Sequence, residues 1–277
     1  MRMTPGDADR LVTTEVEAWV GWLVLDRPEK LNAMSAPMLE QFSEALTALV
    51  DDDAVRVIVI RGAGRAFSSG YDMERDSDEV QGHPEAVEEF ARLRSNIERF
   101  RAIWECPKPV IAAIHGYCLA GATQLAAFCD ITVVAEDAVI GLPKIPAGGG
   151  YITPIWTWLI GPKRAKQMAF SAGSSITGAR AVEWGWANYC VPELDLWTSV
   201  TDLAVDIART SAPILRMKKH AINRIADIQG FSASVFYGAE TDALLHLDPA
   251  VGELSALIRE KGLKNAIAEF GPGRLAP

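Results

Sequence analysis

The stretch "KPVIAAIHGYCLAGATQLAAFCDITVVAED" (Lys108–Asp137) decides the fold. It holds two short, β-branched apolar runs, "PVIAAI" and "ITVVA", split by the small-residue segment "LAGATQLAAF". Apolar runs of that length, bounded by turn residues, read as strands buried on both faces. The segment between them is rich in alanine and leucine and reads as a short helix. Strand, helix and strand in close succession are the mark of a parallel sheet with covering helices.

Upstream, "VRVIVI" (Val55–Ile60) is another buried strand, and "AWVGWLVLDRP" (Ala18–Pro28) is a strand that stops at proline. Between them, "SAPMLEQFSEALTALVDDD" opens a helix with Ser35 as N-cap and Pro37 in the first turn. Its residues Met38, Phe42, Leu46 and Leu49 recur at helical spacing. Residues 74–92 are acidic and read as a loop leading into a helix over "EEFARLRSNIERFRAIWE". From about Glu193 the pattern is wholly helical. The expected organisation is an α/β core over residues 1–195 and a C-terminal helical subdomain over 196–277.

Composition narrows the function. The 277 residues carry a net charge of −9, which argues against nucleic acid, whose affinity comes from basic contacts to phosphate. No apolar run reaches the roughly 18–20 residues of a membrane span. The start "MRMTPGDADR" carries no apolar stretch, so a secretory leader is not expected and a cytoplasmic location is. Cys106, Cys118, Cys129 and Cys190 form no C-x-x-C pair and read as reduced core thiols. No His, Cys or carboxylate cluster has metal spacing, so no metal is expected.

Each strand is followed by a motif. After "VRVIVI" comes "RGAGRAFSSGYDM", after "PVIAAIHG" comes "YCLAGATQ", and after "DITVVAEDAVIG" comes "LPKIPAGGG". Ligands of α/β sheets bind at the C-terminal ends of strands. Gly70 and Gly121 sit where backbone N–H groups can face a pocket, and Gly121 opens a helix, whose first N–H groups favour negative charge. The glycines Gly62, Gly64 and Gly70 miss the dinucleotide spacing, and no nucleophile elbow surrounds Ser68 or Ser69. His115, before the glycine of "HGY", reads as a partner of local backbone. Of Trp156 and Trp158, two apart, one is expected in the core.

These motifs carry a resemblance. "DRPEKLNAMS" (Asp26–Ser35), "GAGRAFSSGYDM" (Gly62–Met73), Lys108–Ile145 and "GPKRAKQMAFSAGSSITGARAVEWGWANYCVP" (Gly161–Pro192) together resemble the crotonase, or enoyl-CoA hydratase/isomerase, superfamily. The resemblance implies a ββα spiral core with a C-terminal helical trimerisation subdomain, assembled as a trimer or hexamer. It implies an acyl-CoA thioester as substrate, with coenzyme A arriving as part of it and no further cofactor. It makes the backbone N–H groups of Tyr71 and Gly121 an oxyanion hole, with the tyrosine side chain free to lie elsewhere. Lys30, Ala33, Ser68, Gly70, Asp72 and Met73 are the expected contacts of the CoA moiety.

The sequence departs from the pattern in one respect. Family hydratases carry two glutamates, three positions after the oxyanion glycine and after the proline of G-x-P-E. Here those places hold Gln124 and Lys144. A glutamine takes no proton at neutral pH, whereas a lysine acts as an acid, or as a base if burial lowers its pKa. The alternatives are an enzyme with other acid–base groups, a weak or non-catalytic acyl-CoA binder, and a variant isomerase or hydrolase. Asp72 and Glu74 are the first substitutes to consider, and Tyr151 lies in a loop shorter than the family form. Oligomer contacts are expected from the stripe Val235, Ala239, Ala243 and Leu244.

Overall fold

The computed structural model describes residues 10–73, 86–145, 148 and 152–270. Glu74 and Tyr151 lie outside the described residues. The first hairpin joins β1 (Val12–Glu17) to β2 (Val20–Leu25) through Ala18 and Trp19, both at positive φ. Two central residues at positive φ match the twist of a two-residue hairpin. The sequence reading joined Ala18 and Trp19 to the strand; the chain instead turns there.

Beyond β2 the main sheet is parallel. β3 (Val57–Gly62), β4 (Val110–Ile114), β6 (Ile131–Ala135) and β9 (Tyr189–Val191) complete six strands in the order β1-β2-β3-β4-β6-β9. Val57 to Ile60 and Val110 to Ile114 are fully buried, as β-branched strands covered on both faces must be. A second sheet holds β5 (Tyr117–Leu119), β7 (Val139–Gly141) and β8 (Ser175–Thr177), in the order β5-β7-β8. The mixed α/β architecture expected from the sequence is present.

Helix α1 (Ala36–Asp51) lays Met38, Leu39, Phe42, Leu46 and Leu49 onto the hairpin strands. Helix α2 (Ala86–Glu105) buries Leu93, Ile97, Phe100 and Ile103. The short α3 (Gly121–Ala127) follows β5. Helix α4 (Ile152–Ala169) is broken at Gly161, whose φ of 76° precedes Pro162. Trp156 is buried and donates to Thr123 Oγ1, whereas Trp158 is half-exposed, edge-on to Phe231. After α5 (Gly178–Trp184) and β9, the chain is helical: α6 (Leu196–Ala208), α7 (Ala212–Ile228), α8 (Phe231–His246), α9 (Pro249–Lys261) and α10 (Leu263–Glu269).

Helix α6 packs on β2, β3, β4 and β6, so the helical tail shares the core of the sheet. Helix α8 packs against α2 and α4. That contact buries Val235, Ala239 and Ala243 within the chain's own core, while Leu244 is exposed. The stripe expected to meet another copy is therefore spent inside one chain. The uncovered apolar face is on α7, where Ile214, Met217, Ile222, Ile225 and Ile228 are all at least 50% exposed. Below that face Lys219 is buried; its ammonium meets Asp130 and donates to the carbonyls of Ile103 and Lys108.

Among the described residues, Cys106, Cys118 and Cys129 are buried free thiols and Cys190 is partly covered. Burial pushes all four thiols up, so none is a ready nucleophile. No described helix is long and apolar enough to cross a membrane.

Candidate active site

The site is built where the segment after β3 crosses the start of α3. Asn32, which the sequence reading passed over, holds the first side in place. It sits at φ 54°, a left-handed conformation that asparagine tolerates better than most residues. Its fully buried amide donates to the carbonyls of Ala63 and Ala66, and its Oδ1 accepts from Arg27 N–H. Asparagine in the "DRPEKLN" segment was the available signal.

Residues 67–72 are then zipped between two neighbours. Phe67 N–H donates to His115 O, Ser68 N–H to Tyr117 O, and Leu119 N–H to Ser68 O. On the other side, Met34 N–H donates to Gly70 O and Asp72 N–H to Met34 O. Ser68 is fully buried; its hydroxyl donates to Asn32 O and accepts from Gly70 N–H. Asp72 is buried and ion-paired with Arg27. Both side chains are turned to the scaffold. Ala33 is buried beside them, Lys30 is exposed and Met73 half-buried.

The two glycines meet. Gly70 has φ +96°, and a Cβ there would lie 2.7 Å from Leu119 O and 3.2 Å from Gly121 N. The Gly70–Tyr71 backbone thus runs directly against the N-terminus of α3. Ala120, the residue before that helix, is held at φ 50°, ψ −124°. Such backbone strain in a non-glycine residue clusters at ligand sites.

Tyr71 does not lie elsewhere. Its ring covers the Cα of Gly121, so closely that a Cβ on Gly121 would stand 2.5 Å from Tyr71 Cε2. The ring is also stacked with Phe100, at 6.4 Å between centroids and 23° between planes. The hydroxyl donates to Gln124 Oε1 at 3.3 Å. The residue at the first missing glutamate thus faces a phenol.

The second vacated position is different. Lys144 is exposed, and its stem lies against Gly173. Beyond it, Ile145 is buried in a cluster with Leu254, Ile258 and Ala266 from the last two helices, against which Met73 packs. Gly148 approaches His246, and a Cβ there would be 2.4 Å from its Nε2. His246 bonds Glu89 through Nδ1 and faces Asp242 through Nε2 at 3.6 Å. Burial alone would raise the Glu89 pKa. Hydrogen bonds and charge from Arg92 and His246 outweigh it and hold the carboxyl at about 2.

His115 bonds backbone as expected, but not the local backbone read from the sequence: its Nε2 meets Gly64 O at 2.9 Å, 51 residues away. Burial lowers its pKa, which favours the neutral ring.

Comparison with known proteins places the chain as a whole. A solved enoyl-CoA hydratase/isomerase-type protein of Novosphingobium aromaticivorans DSM 12444 superposes with a TM-score of 0.89 at 41% identity, over 94% of this chain and 95% of that one. The hydroxycinnamoyl-CoA hydratase-lyase of Pseudomonas fluorescens is 28% identical over 258 residues, 92% of this chain and 91% of its own. The crotonyl-CoA hydratase of Syntrophomonas wolfei is 32% identical over 220 residues, 76% of this chain and 81% of its own. The family model described as enoyl-CoA hydratase/isomerase matches residues 15–236, and the chain belongs to that family.

Proposed function

We propose that the protein acts on an acyl-CoA thioester and stabilises the enolate form of its carbonyl through the N–H groups of Tyr71 and Gly121. The observation that carries this reading is the close approach of Gly70 to the start of α3, where a Cβ on Gly70 would lie 3.2 Å from Gly121 N. Two donors there, backed by a helix N-terminus, suit an oxygen that gains negative charge. An oxyanion donor of this kind lowers the barrier by about 2.7–4 kcal/mol. The relatives' names, among them a crotonyl-CoA hydratase and a hydroxycinnamoyl-CoA hydratase-lyase, support a CoA thioester as the substrate class.

The CoA moiety runs past exposed Lys30, with the backbone of Ala33 and Gly70 and the side chain of Met73 beside it. The test is a spectral titration with crotonyl-CoA. Polarisation of the carbonyl shifts the enoyl-thioester absorbance to longer wavelength. Saturable binding with that shift is the expected result. Binding without a shift overturns the oxyanion assignment, and no binding at millimolar concentration overturns the thioester reading.

Self-association belongs to the same proposal. The five apolar side chains of α7 form a face too large to leave in water, and a homotrimer, or a hexamer of two trimers, would cover it.

A further inference from the structure

Family membership leaves the proton-transfer group unassigned, because Gln124 is not an acid and Lys144 is exposed. Three features of Tyr71 converge on that gap. Its ring packs against both Phe100 and Gly121, which restricts where the hydroxyl can stand. The hydroxyl stands at Gln124, three residues along α3 from the proposed oxyanion donor Gly121. At 3.3 Å the bond to Gln124 is longer than the 2.7–2.8 Å of a strong O–H···O contact, so the glutamine positions the hydroxyl without binding it tightly.

Resting on the acyl-CoA reading above, we propose that the Tyr71 hydroxyl, held by Gln124, passes protons to and from Cα of the bound thioester. Water adds at Cβ, and the electron pair of the double bond moves towards the thioester oxygen, giving the enolate. As the carbonyl re-forms, Tyr71 gives its proton to Cα. The phenolate then takes the proton that the added water loses. One water has crossed the double bond and Tyr71 is restored.

Gln124 suits this cycle better than a glutamate would. Its amide accepts from the phenol through Oε1 and, once turned over, donates to the phenolate through Nε2. A carboxylate at that distance only accepts, and its charge opposes formation of the phenolate. The glutamine at this position and the tyrosine two strands away in sequence are on this reading one functional unit.

The experiment uses the full-length protein, crotonyl-CoA as probe, and two readouts: the bound-state absorbance shift and the rate of hydration in D2O with deuterium counted at Cα. Tyr71→Phe keeps the ring and the backbone N–H and removes the hydroxyl alone. The expected result is an unchanged absorbance shift, a KM within about threefold, and a kcat lower by about 10²–10⁴-fold. The wild type's loss of activity at alkaline pH, where a tyrosine acid has shed its proton, should vanish from the residual rate. Gln124→Leu should lower kcat less than Tyr71→Phe, and the double variant should be no slower than Tyr71→Phe. Hydration at the wild-type rate by Tyr71→Phe overturns the proposal. So does a wild type that shows the shift but neither hydrates the probe nor labels Cα. Both outcomes leave the oxyanion reading standing, whereas loss of the shift in wild type removes that reading itself.

Discussion

Lys219 Nζ lies 2.7 Å from Asp130 Oδ2, and the pair fastens α7 to the start of the parallel sheet. The same carboxylate accepts from Val110 N–H at 2.7 Å, at the head of β4. Burial pushes the Asp130 pKa up, and Lys219 acts against that. Removing one member of such a pair leaves a buried charge without compensation. Lys219→Ala is therefore expected to destabilise the protein by about 3–5 kcal/mol, read from chemical unfolding. A loss under 1 kcal/mol would show the pair to be incidental.

Glu89 gives an acid-sensitivity prediction. Its folded-state pKa, about 2, lies below the ordinary value of 4.5. A lowered carboxyl pKa adds stability that is fully present above the unfolded value and disappears as pH falls through the folded value. The window is thus pH 4.5 down to about 2. Stability should fall by an amount on the order of 3 kcal/mol across it. Glu89→Gln should flatten that part of the curve; an unaltered slope in urea midpoints would sink the assignment.

Gly121 is required by space, besides the role proposed for its N–H. A methyl group there meets the Tyr71 ring at 2.5 Å. Gly121→Ala should displace the ring, lower turnover by at least about 10²-fold and cost about 1–3 kcal/mol. Wild-type kinetics from this variant would mean that the ring is free to move.

Lys144 should matter little. Its side chain is exposed, with the stem on Gly173. Lys144→Ala is expected to keep kcat within about threefold, since a positioned acid or base would be worth about 10²–10⁴. A fall of that larger size would restore Lys144 as a participant.

The exposed face of α7 sets the assembly test. Ile222→Asp with Ile225→Asp places two charges in it while touching no core position, both residues being more than half exposed. On the proposed trimer or hexamer, light scattering should show dissociation to monomers that remain folded. An unchanged mass would put the contact elsewhere.

The main strands were legible because Val57–Ile60 and Val110–Ile114 are buried on both faces and apolar throughout, and Val133–Ala135 likewise. The meeting of Gly70 and Gly121 was legible through the resemblance, since each glycine follows a buried strand. The three-residue strands β5, β7 and β8 were harder, being too short to show a period. Burial of Val235, Ala239 and Ala243 was readable as an apolar stripe, but a stripe does not say which surface covers it. The Tyr71–Gln124 contact joins residues 53 apart. No local pattern predicts where a ring after a glycine will point.

The cluster of Ile145 with Leu254, Ile258 and Ala266 has a consequence for synthesis. Strands β1 to β6 and the segments carrying Gly70 and Gly121 lie in the first half of the chain, so the ribosome releases them early, whereas the edge strand β9 follows later. The residues that seal Ile145 and meet Met73 emerge near the end. A nascent chain would leave Ile145 and Met73 without these partners until the last two helices arrive, and a chain cut short before Pro249 would keep that apolar surface bare for good.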